Sequence, residues 1–204
     1  MTTDSLELDV SIVLPVHNEA GHLLAEIERI VESMDAANLK WELIVVDDGS
    51  RDGSADIALA SKRSRVIRNE RNCGTGSARR LGTEAARGRI VVWSDADMSY
   101  PNDKIPDLIA AMGDADHIIG ARTSEQGTFK LFRVPAKWLI RQLAQYLTQM
   151  EIPDLNTSFR AFRRDVALQY THHLPRGFSC VTTLTMAFLM DGYRVDFVPI
   201  EYEQ

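Results

Sequence analysis

Short apolar runs alternate with amphipathic stretches along the first 122 residues of the chain. Runs rich in β-branched and aromatic residues predict strands at residues 10–16, 41–47, 66–68, 89–94 and 117–120. Apolar residues at helical spacing predict a helix in each connection. Strands that alternate with helices form βαβ units, whose right-handed crossovers give a mostly parallel sheet. The pattern therefore predicts an α/β fold with a Rossmann-like central sheet flanked by helices.

The regular alternation ends after Arg122. A polar loop, a turn rich in Asn, Thr and Ser, and a final strand at residues 194–200 are predicted there. The first helix of the chain is the most clearly marked, because Leu23, Ile27, Ile30 and Met34 fall on one face. The other predicted helices cover residues 54–61, 76–86, 105–112, 135–150, 164–170 and 181–190.

The composition, with 45% hydrophobic and 25% charged residues, is that of an ordinary soluble globular protein. A length of 204 residues predicts one well-cored domain over residues 1–204. The net charge of −6 excludes a general nucleic-acid-binding surface. Only two cysteines occur, and neither a leader peptide nor a membrane-spanning run of about 20 apolar residues is apparent. These features predict a reduced, cytoplasmic setting.

Carboxylates follow three of the predicted strands. Asp95 and Asp97 come directly after the strand at residues 89–94, Glu19 follows the first strand, and Asp47 and Asp48 end the second. The carboxyl ends of parallel strands form the edge where an α/β sheet binds a nucleotide. Paired carboxylates there suit Mg²⁺ or Mn²⁺, which in turn suits a diphosphate. Plain turn chemistry explains each site taken singly, whereas their joint placement favours function.

A glycine-containing loop at residues 72–77 opens a predicted helix, but it is not a dinucleotide-binding fingerprint. Arg79 stands where the third glycine of that motif belongs, and no acidic residue follows at suitable spacing. Two interpretations stay open. The helix-start amides approach a nucleotide, or the loop is tight because a helix packs closely against a strand.

A basic segment with interleaved aromatic residues lies between Thr128 and Met150 and contains no acidic residue. It predicts peripheral contact with an anionic membrane surface or a lipid phosphate. The alternative is a core helix with a solvated basic face. Its basic residues are Lys130, Arg133, Lys137 and Arg141.

Five motifs together resemble the family 2 inverting glycosyltransferases, most closely the polyprenyl-phosphate branch that includes dolichyl-phosphate mannose synthase and the bactoprenol glucosyltransferases. The resemblance implies a GT-A fold, a UDP- or GDP-sugar donor and a divalent metal. It also implies a nucleotide-sugar-binding half at residues 10–122 and an acceptor-side half at residues 123–204. The motifs are LPVHNE at residues 14–19, VVDDGSRDGS at 45–54, DAD at 95–97, GAR at 120–122 and DLNTSFR at 154–160.

The same resemblance implies roles for individual residues. Asp97, with Asp95, is expected to hold the metal. Arg122, Arg133 and Arg160 are expected to bind the donor or acceptor phosphates, and Asp97, Arg122 and Asp154 to form the catalytic set. The residues expected to contact the nucleotide-sugar are Pro15, His17, Glu19, Val46, Asp47, Asp48, Asp95 and Ala96.

The chain departs from the family pattern in ways that bear on the acceptor. Ser99 stands where the branch has a glutamine, and the Glu-Asp dipeptide that many members use as a base is missing. A phosphate monoester, with a second pKa of about 6, is already largely ionised and needs no base. We therefore expect transfer to a polyprenyl phosphate by a cytoplasmic enzyme at the membrane face. The alternatives are a soluble enzyme that glycosylates a hydroxyl, for which Asp154 serves as base, and a nucleotide-sugar-binding module without turnover.

Overall fold

A computed structural model describes residues 8–123 and 152–202 of the chain. Seven strands lie within these residues: β1 (Leu8–Val16), β2 (Trp41–Asp47), β3 (Arg65–Arg68), β4 (Gly88–Trp93), β5 (His117–Arg122), β6 (Arg160–Arg163) and β7 (Val195–Ile200). The α-helices of the same residues are α1 (Leu23–Ala36), α2 (Ser54–Ala60), α3 (Thr75–Ala85), α4 (Ile105–Ala110), α5 (Arg164–Leu168) and α6 (Cys180–Met190). The predicted helix at 135–150 lies outside the described residues.

The strands form one sheet in the order β3-β2-β1-β4-β6-β5-β7. All neighbouring strands are parallel except β6, which runs antiparallel to both β4 and β5. The end of β1 lies beside the end of β2, with Val16 opposite Asp47. The loops that follow β1, β2 and β4 therefore meet at one edge of the sheet. The predicted α/β fold with a mostly parallel sheet is confirmed.

Helices cover both faces of the sheet and bury two apolar cores. Alternate residues of β1 point to opposite faces, so Ile12 and Leu14 join one core and Val13 joins the other. The first core also contains the predicted apolar face of α1, which is confirmed, and the second contains residues of α3 and α6. Both faces of the central strands are buried, so their carboxyl ends are held rigidly.

Strand β6 is an element that the sequence pattern did not predict. It has only two apolar residues between arginines, as β3 also has, but β3 lies within the regular alternation of strands and helices and β6 lies after that alternation ends. It lies between β4 and β5 in the sheet and runs in the opposite direction to both of them. Because β6 is antiparallel, its first residues, and the segment 154–159 before them, lie at the same edge as the ends of β4 and β5.

His117, at the start of β5, is a fully buried histidine among aromatic rings. Its ring packs edge-on against Phe162 and Phe188, and neither ring nitrogen has a hydrogen-bond partner in the part of the chain that the structure describes. Burial, reinforced by the positive charge of Arg160, lowers the pKa of His117 well below 6.5. The folded protein therefore holds this side chain neutral, whereas the unfolded chain takes up a proton as the pH falls through 6.5.

We expect the free energy of unfolding to fall by on the order of 1–2 kcal/mol between pH 7 and pH 5 because of His117. The sign follows from the lowered pKa, since only the unfolded state gains the proton in this range. Urea unfolding of His117→Phe across these pH values is expected to show a smaller fall. The matched control is His173→Phe, which replaces an exposed histidine. An unchanged pH dependence in His117→Phe would contradict this assignment.

Candidate active site

The loops after β1 and β2 are tied together by hydrogen bonds at the sheet edge. The backbone amide of Asn18 donates to Ser50 Oγ (3.0 Å), and that of Arg51 donates to Asn18 Oδ1 (2.9 Å). His17 Nδ1 donates to the Asp48 carbonyl at 2.9 Å, and the amide of Glu19 donates to Ser54 Oγ at 2.9 Å. These bonds leave His17 exposed and Glu19 half-buried beside the edge, where a ligand reaches both.

Asp48 organises the loop after β3. Its carboxylate accepts hydrogen bonds from Asn69 Nδ2 (2.7 Å), the Cys73 amide (3.0 Å) and the Gly74 amide (2.8 Å). The side chain is buried. The Asp48 carboxylate was expected to contact the nucleotide. In the structure it accepts hydrogen bonds from three donors of this chain and thereby holds the loop at residues 69–74 in place. Its contact with a nucleotide stays a prediction.

Asp47 carries an acceptor that the protein leaves unsatisfied. Its Oδ1 accepts a hydrogen bond from the Ser50 amide (3.2 Å), whereas the buried Oδ2 has no hydrogen-bond partner. Arg68 Nε lies 3.2 Å from Oδ2 but out of hydrogen-bond alignment. An unpaired buried acceptor is costly, so a group that donates to it is expected nearby. Beside it lies a cavity of about 420 Å³ lined by Gly49, Ser50, Arg51, Arg68, Asn69 and Glu70.

Two of the residues expected to contact the nucleotide-sugar do not present their side chains at this edge. Val46 is fully buried in the core between the sheet and α3, with its strand paired on both sides. Ala96 is also buried, in the core on the opposite face. The Val46 side chain is therefore not available to a ligand, and a contact through the backbone of this residue stays a prediction. Pro15 is half-buried in β1 and stays a prediction.

Asp95 is held by an arginine that the sequence reasoning did not assign to the site. Arg79 of α3 is fully buried, and its Nη2 donates to Asp95 Oδ1 (2.5 Å) and to Ser158 Oγ (2.7 Å). Its guanidinium also lies 5.7 Å from the Trp93 ring centroid. The signal was present, because Arg79 falls on the same face of α3 as the buried Gly76 and Thr83. A charged residue on a buried helix face implies a buried partner.

Asp97 is exposed, and one of its two carboxylate oxygens is available to a cation. Ser99 donates to Asp97 Oδ1 through its amide (3.1 Å) and its hydroxyl (2.5 Å), which leaves Oδ2 without a hydrogen bond to any described residue. Burial and then the negative charge of Asp97 raise the pKa of Glu19. Asp95 contributes to the same rise. The negative charges of Asp97 and Asp95 thus both act on Glu19, and a divalent cation bound here would relieve such repulsion.

The residues at this edge fit a divalent metal that is bound jointly by protein and ligand. Among residues 8–123 and 152–202, no cluster of three His, Cys, Asp or Glu side chains is arranged to hold a metal alone. Mg²⁺ and Mn²⁺ at nucleotide sites are commonly bound by one or two carboxylates, with the remaining positions filled by phosphate oxygens and water. Asp97 Oδ2 is available as such a ligand, and this role stays a prediction. Asp95 keeps only its second oxygen for this purpose, since Oδ1 is bound by Arg79.

Arg122 and Asp154 form a two-point ion pair beyond the acidic residues. Arg122 Nε lies 2.7 Å from Asp154 Oδ2, and Nη2 lies 3.1 Å from Oδ1. The guanidinium also lies 5.3 Å from the Tyr202 ring centroid. Burial by itself raises the pKa of Asp154, but the hydrogen bonds and charge of Arg122 outweigh it and hold that pKa below its ordinary value. Asp154 is therefore a weak base.

Arg160 begins β6 beside the end of β4, but its side chain points into the protein, and its expected phosphate contact stays a prediction. The side chain is fully buried, where it donates to the Thr157 carbonyl, the Val181 carbonyl (2.8 Å) and Thr185 Oγ1 (2.8 Å). Burial and the positive charge of Arg79 lower the pKa of Arg160 to about 10. It joins β6 to α6. Arg133 and the basic segment at 128–150 lie outside the described residues.

The loop at residues 72–77 is a close-packing loop. The amides of Gly76 and Ser77, at the start of α3, donate to the carbonyl of Arg176 at 2.7 Å and 3.3 Å. A Cβ at position 76 would lie 2.1 Å from the Pro175 carbonyl oxygen, so only glycine fits. These helix-start amides are thus satisfied within the protein. Of the two interpretations, the structure supports the tight loop.

None of the helices in the described parts of the chain is both long and apolar enough to cross a bilayer.

Comparison with known proteins gives a consistent assignment. The family described as glycosyl transferase family 2 matches residues 11–171. An undecaprenyl-phosphate 4-deoxy-4-formamido-L-arabinose transferase of Shewanella sediminis is 36% identical over 162 residues, which are 77% of this chain and 49% of that protein. The enzyme of that name from Pectobacterium carotovorum is 30% identical over 201 residues, 96% of this chain and 61% of that protein. The chain thus spans about half the length of the relatives it matches.

Solved structures support the fold. Glucosyl-3-phosphoglycerate synthase from Mycobacterium tuberculosis superposes with a TM-score of 0.74 at 22% identity, over 100% of this chain and 76% of that one. A complex of the same enzyme with Mn²⁺, UDP and glucosyl-3-phosphoglycerate gives a TM-score of 0.70 at 20% identity, over 100% and 77% of the two chains. Mannosyl-3-phosphoglycerate synthase from Rubrobacter xylanophilus gives 0.71 at 22% identity, over 98% and 68%. The expected GT-A fold is confirmed.

Proposed function

Because the chain belongs to glycosyl transferase family 2, we propose that it is an inverting glycosyltransferase that moves a sugar from a nucleotide-diphosphate donor to a polyprenyl phosphate. The single observation that best supports the acceptor is the state of Asp154. A carboxylate paired at two points with Arg122 and held at a low pKa is a poor base for a hydroxyl. A phosphate acceptor is already a nucleophile and needs no base.

The relatives support the same acceptor class. Their name specifies undecaprenyl phosphate and a modified arabinose. At 36% identity and half the length, they support a polyprenyl phosphate for this chain but do not identify the sugar. Arg122 is proposed to face a phosphate of the donor or acceptor, since it lies at the edge between the acidic residues and β7.

The donor is proposed to bind across the ends of β1, β2 and β4. Asp47 Oδ2 is buried beside Arg68, whose Nε lies 3.2 Å away and whose side chain is largely exposed. Displacement of Arg68 is proposed to let Oδ2 accept a hydrogen bond from the ring N–H of uracil or guanine, so UDP- and GDP-sugars both suit it. His17 and Glu19 are placed to line the donor site from β1. Residues 10–122 thus provide the donor half, and residues 123–204 provide the acceptor side.

Asp97, with the free oxygen of Asp95, is proposed to hold Mg²⁺ or Mn²⁺. Such an ion, when bound, neutralises the charge that develops on the diphosphate leaving group. The complex of the Mycobacterium tuberculosis enzyme with Mn²⁺ and UDP supports a divalent metal in this fold. Arg79 then serves to orient Asp95, and Ser99 orients Asp97. Direct displacement at the anomeric carbon inverts its configuration.

We propose that the protein acts at the cytoplasmic face of the membrane, where a polyprenyl phosphate and a nucleotide-sugar meet. The basic aromatic segment at residues 128–150 supports peripheral contact with anionic lipid. Binding to vesicles that contain anionic lipid, compared with neutral vesicles, measures this contact.

Radiolabel transfer tests the proposal. UDP- and GDP-sugars labelled in the sugar are incubated with the protein, Mn²⁺ and vesicles that contain undecaprenyl phosphate, and the label is then partitioned between lipid and water. We expect label in the lipid fraction, and none when the lipid lacks its phosphate. Label that passes only to a saccharide would overturn the acceptor. Saturable nucleotide binding with no product would instead indicate a binding module.

A further inference from the structure

A buried polar network lies beneath the loop that carries the acidic residues. Glu26 of α1 and Asn102 are both fully buried, and Asn102 Nδ2 donates to a carboxylate oxygen of Glu26. The same amide group donates to the Asp95 carbonyl at 3.2 Å, and its Oδ1 accepts a hydrogen bond from Ser94 Oγ at 2.5 Å. Asn102 thus hydrogen-bonds to Ser94 and Asp95 in the loop that carries the acidic residues, and Glu26 hydrogen-bonds Asn102 to α1.

Arg29, one turn along α1, completes the attachment. Its guanidinium donates to Asp103 Oδ1 (2.6 Å), to the Tyr100 carbonyl (3.3 Å) and to Glu26 Oε1 (3.4 Å). Helix α1 therefore contacts the loop through the carboxylate of Glu26 and the guanidinium of Arg29. We call Glu26, Arg29 and Asn102 the α1 clamp.

The loop held by the α1 clamp contains a strained residue. Met98, which directly follows Asp97, has a φ of +64°, a left-handed conformation that is uncommon for residues other than glycine, asparagine and aspartate. Such strain persists only where the surrounding structure fixes it, and it often marks functional sites. The turn at Met98 directs Ser99 back onto Asp97 Oδ1, so the strain is coupled to the orientation of the acidic side chain.

The burial of the Glu26 carboxylate is unfavourable for folding unless hydrogen bonds compensate for the loss of water around its charge. Burial raises the pKa of Glu26, which reflects that penalty. A leucine at this position would fill the space without it. The side chain of Glu26 bonds to Asn102 and Arg29, and the other side-chain hydrogen bonds of these two residues within the described chain reach residues 94–103.

We propose that Glu26 is a positioning residue, which sets the geometry of Asp95 and Asp97 for metal binding through Asn102. This inference rests on the proposed metal-assisted donor binding. It predicts a selective defect. Within the described residues, no side-chain hydrogen bond of the α1 clamp reaches the β1 or β2 loop. A nucleotide held only by its base and ribose is therefore expected to keep its affinity when the clamp is cut.

The test compares two ligands in three variants. Mn²⁺ binding in the presence of UDP or GDP is followed by electron paramagnetic resonance of the ion. Binding of UMP or GMP in EDTA is followed by calorimetry. In Glu26→Met we expect a rise of about tenfold or more in the Mn²⁺ dissociation constant, with nucleoside monophosphate affinity within about twofold of wild type. Glu26→Gln retains the oxygen that Asn102 needs, so we expect it to recover most of the affinity for Mn²⁺.

Glu28→Gln is the matched control, because it neutralises an exposed carboxylate of the same helix. It is expected to leave both affinities unchanged. Asn102→Ala cuts the same bonds from the loop side and carries the test if Glu26→Met does not fold. Unchanged Mn²⁺ affinity in a folded variant, or an equal loss for both ligands, would overturn the positioning role. A wild-type protein that binds UDP and GDP without regard to Mn²⁺ would instead overturn the proposed function.

Discussion

Replacing Asp97 by asparagine is expected to reduce sugar transfer by about a thousandfold, which corresponds to roughly 4 kcal/mol of transition-state stabilisation. Asp97 is exposed, and its Oδ2 makes no hydrogen bond to a described residue, so its negative charge is available to a cation. Asparagine keeps the shape and one oxygen but loses the charge. Donor affinity measured by calorimetry in Mn²⁺ buffer is expected to fall to the value found in EDTA.

The control for Asp97→Asn is Asp107→Asn, which neutralises an exposed carboxylate on α4 that is outside the acidic group. We expect that variant to retain wild-type activity. We expect the substitution to leave the fold intact, because Asp97 is exposed and, among residues 8–123 and 152–202, its side chain hydrogen-bonds only with Ser99. Donor binding that stays strong and still responds to Mn²⁺ in Asp97→Asn would show that the metal is held elsewhere, and the proposed mechanism would fail with it.

The sequence predicted the elements of the first half well, because each one satisfies a strong local rule. The strands β1, β2 and β4 each contain an uninterrupted apolar run that is buried on both faces, and α1 has a regular apolar stripe. Strand β6 was not predicted because nothing local distinguishes it. Its placement depends on its neighbours β4 and β5, which are remote in sequence.

The acidic residues of the candidate site were predictable from their position after strands, whereas their partners were not. Asp95 and Asp97 come directly after β4 in the sequence, so the position of the strand is enough to place them at the sheet edge. Arg79 and Glu26 reach the same loop only after α3 and α1 pack on opposite faces of the sheet. Arg160 shows the limit of such reasoning. This last residue of the motif at 154–160 was expected to bind phosphate, and the sequence did not reveal that its side chain is buried between β6 and α6.

Replacing Arg79 by methionine is expected to lower the free energy of unfolding by about 2–4 kcal/mol. Methionine fills much of the same space, so the effect measures the lost charge and hydrogen bonds more than a cavity. Removing Arg79 leaves Asp95 and Ser158 without their shared donor in a largely buried place. Asp95 keeps some solvent exposure, which places the expected loss below that of a fully buried pair. Urea unfolding measures it.

Arg80→Met provides a control on the neighbouring residue of α3. Arg80 is exposed and lies 3.9 Å from Glu84, an ion pair for which about 0.3–0.5 kcal/mol is expected. The decisive comparison is a double-mutant cycle between Arg79→Met and Asp95→Asn. If the arginine stabilises the fold through Asp95, the double variant recovers part of the loss, because a neutral amide no longer needs a cation. Additive losses would show that Arg79 acts through its other contacts, and its role in orienting Asp95 would have to be abandoned.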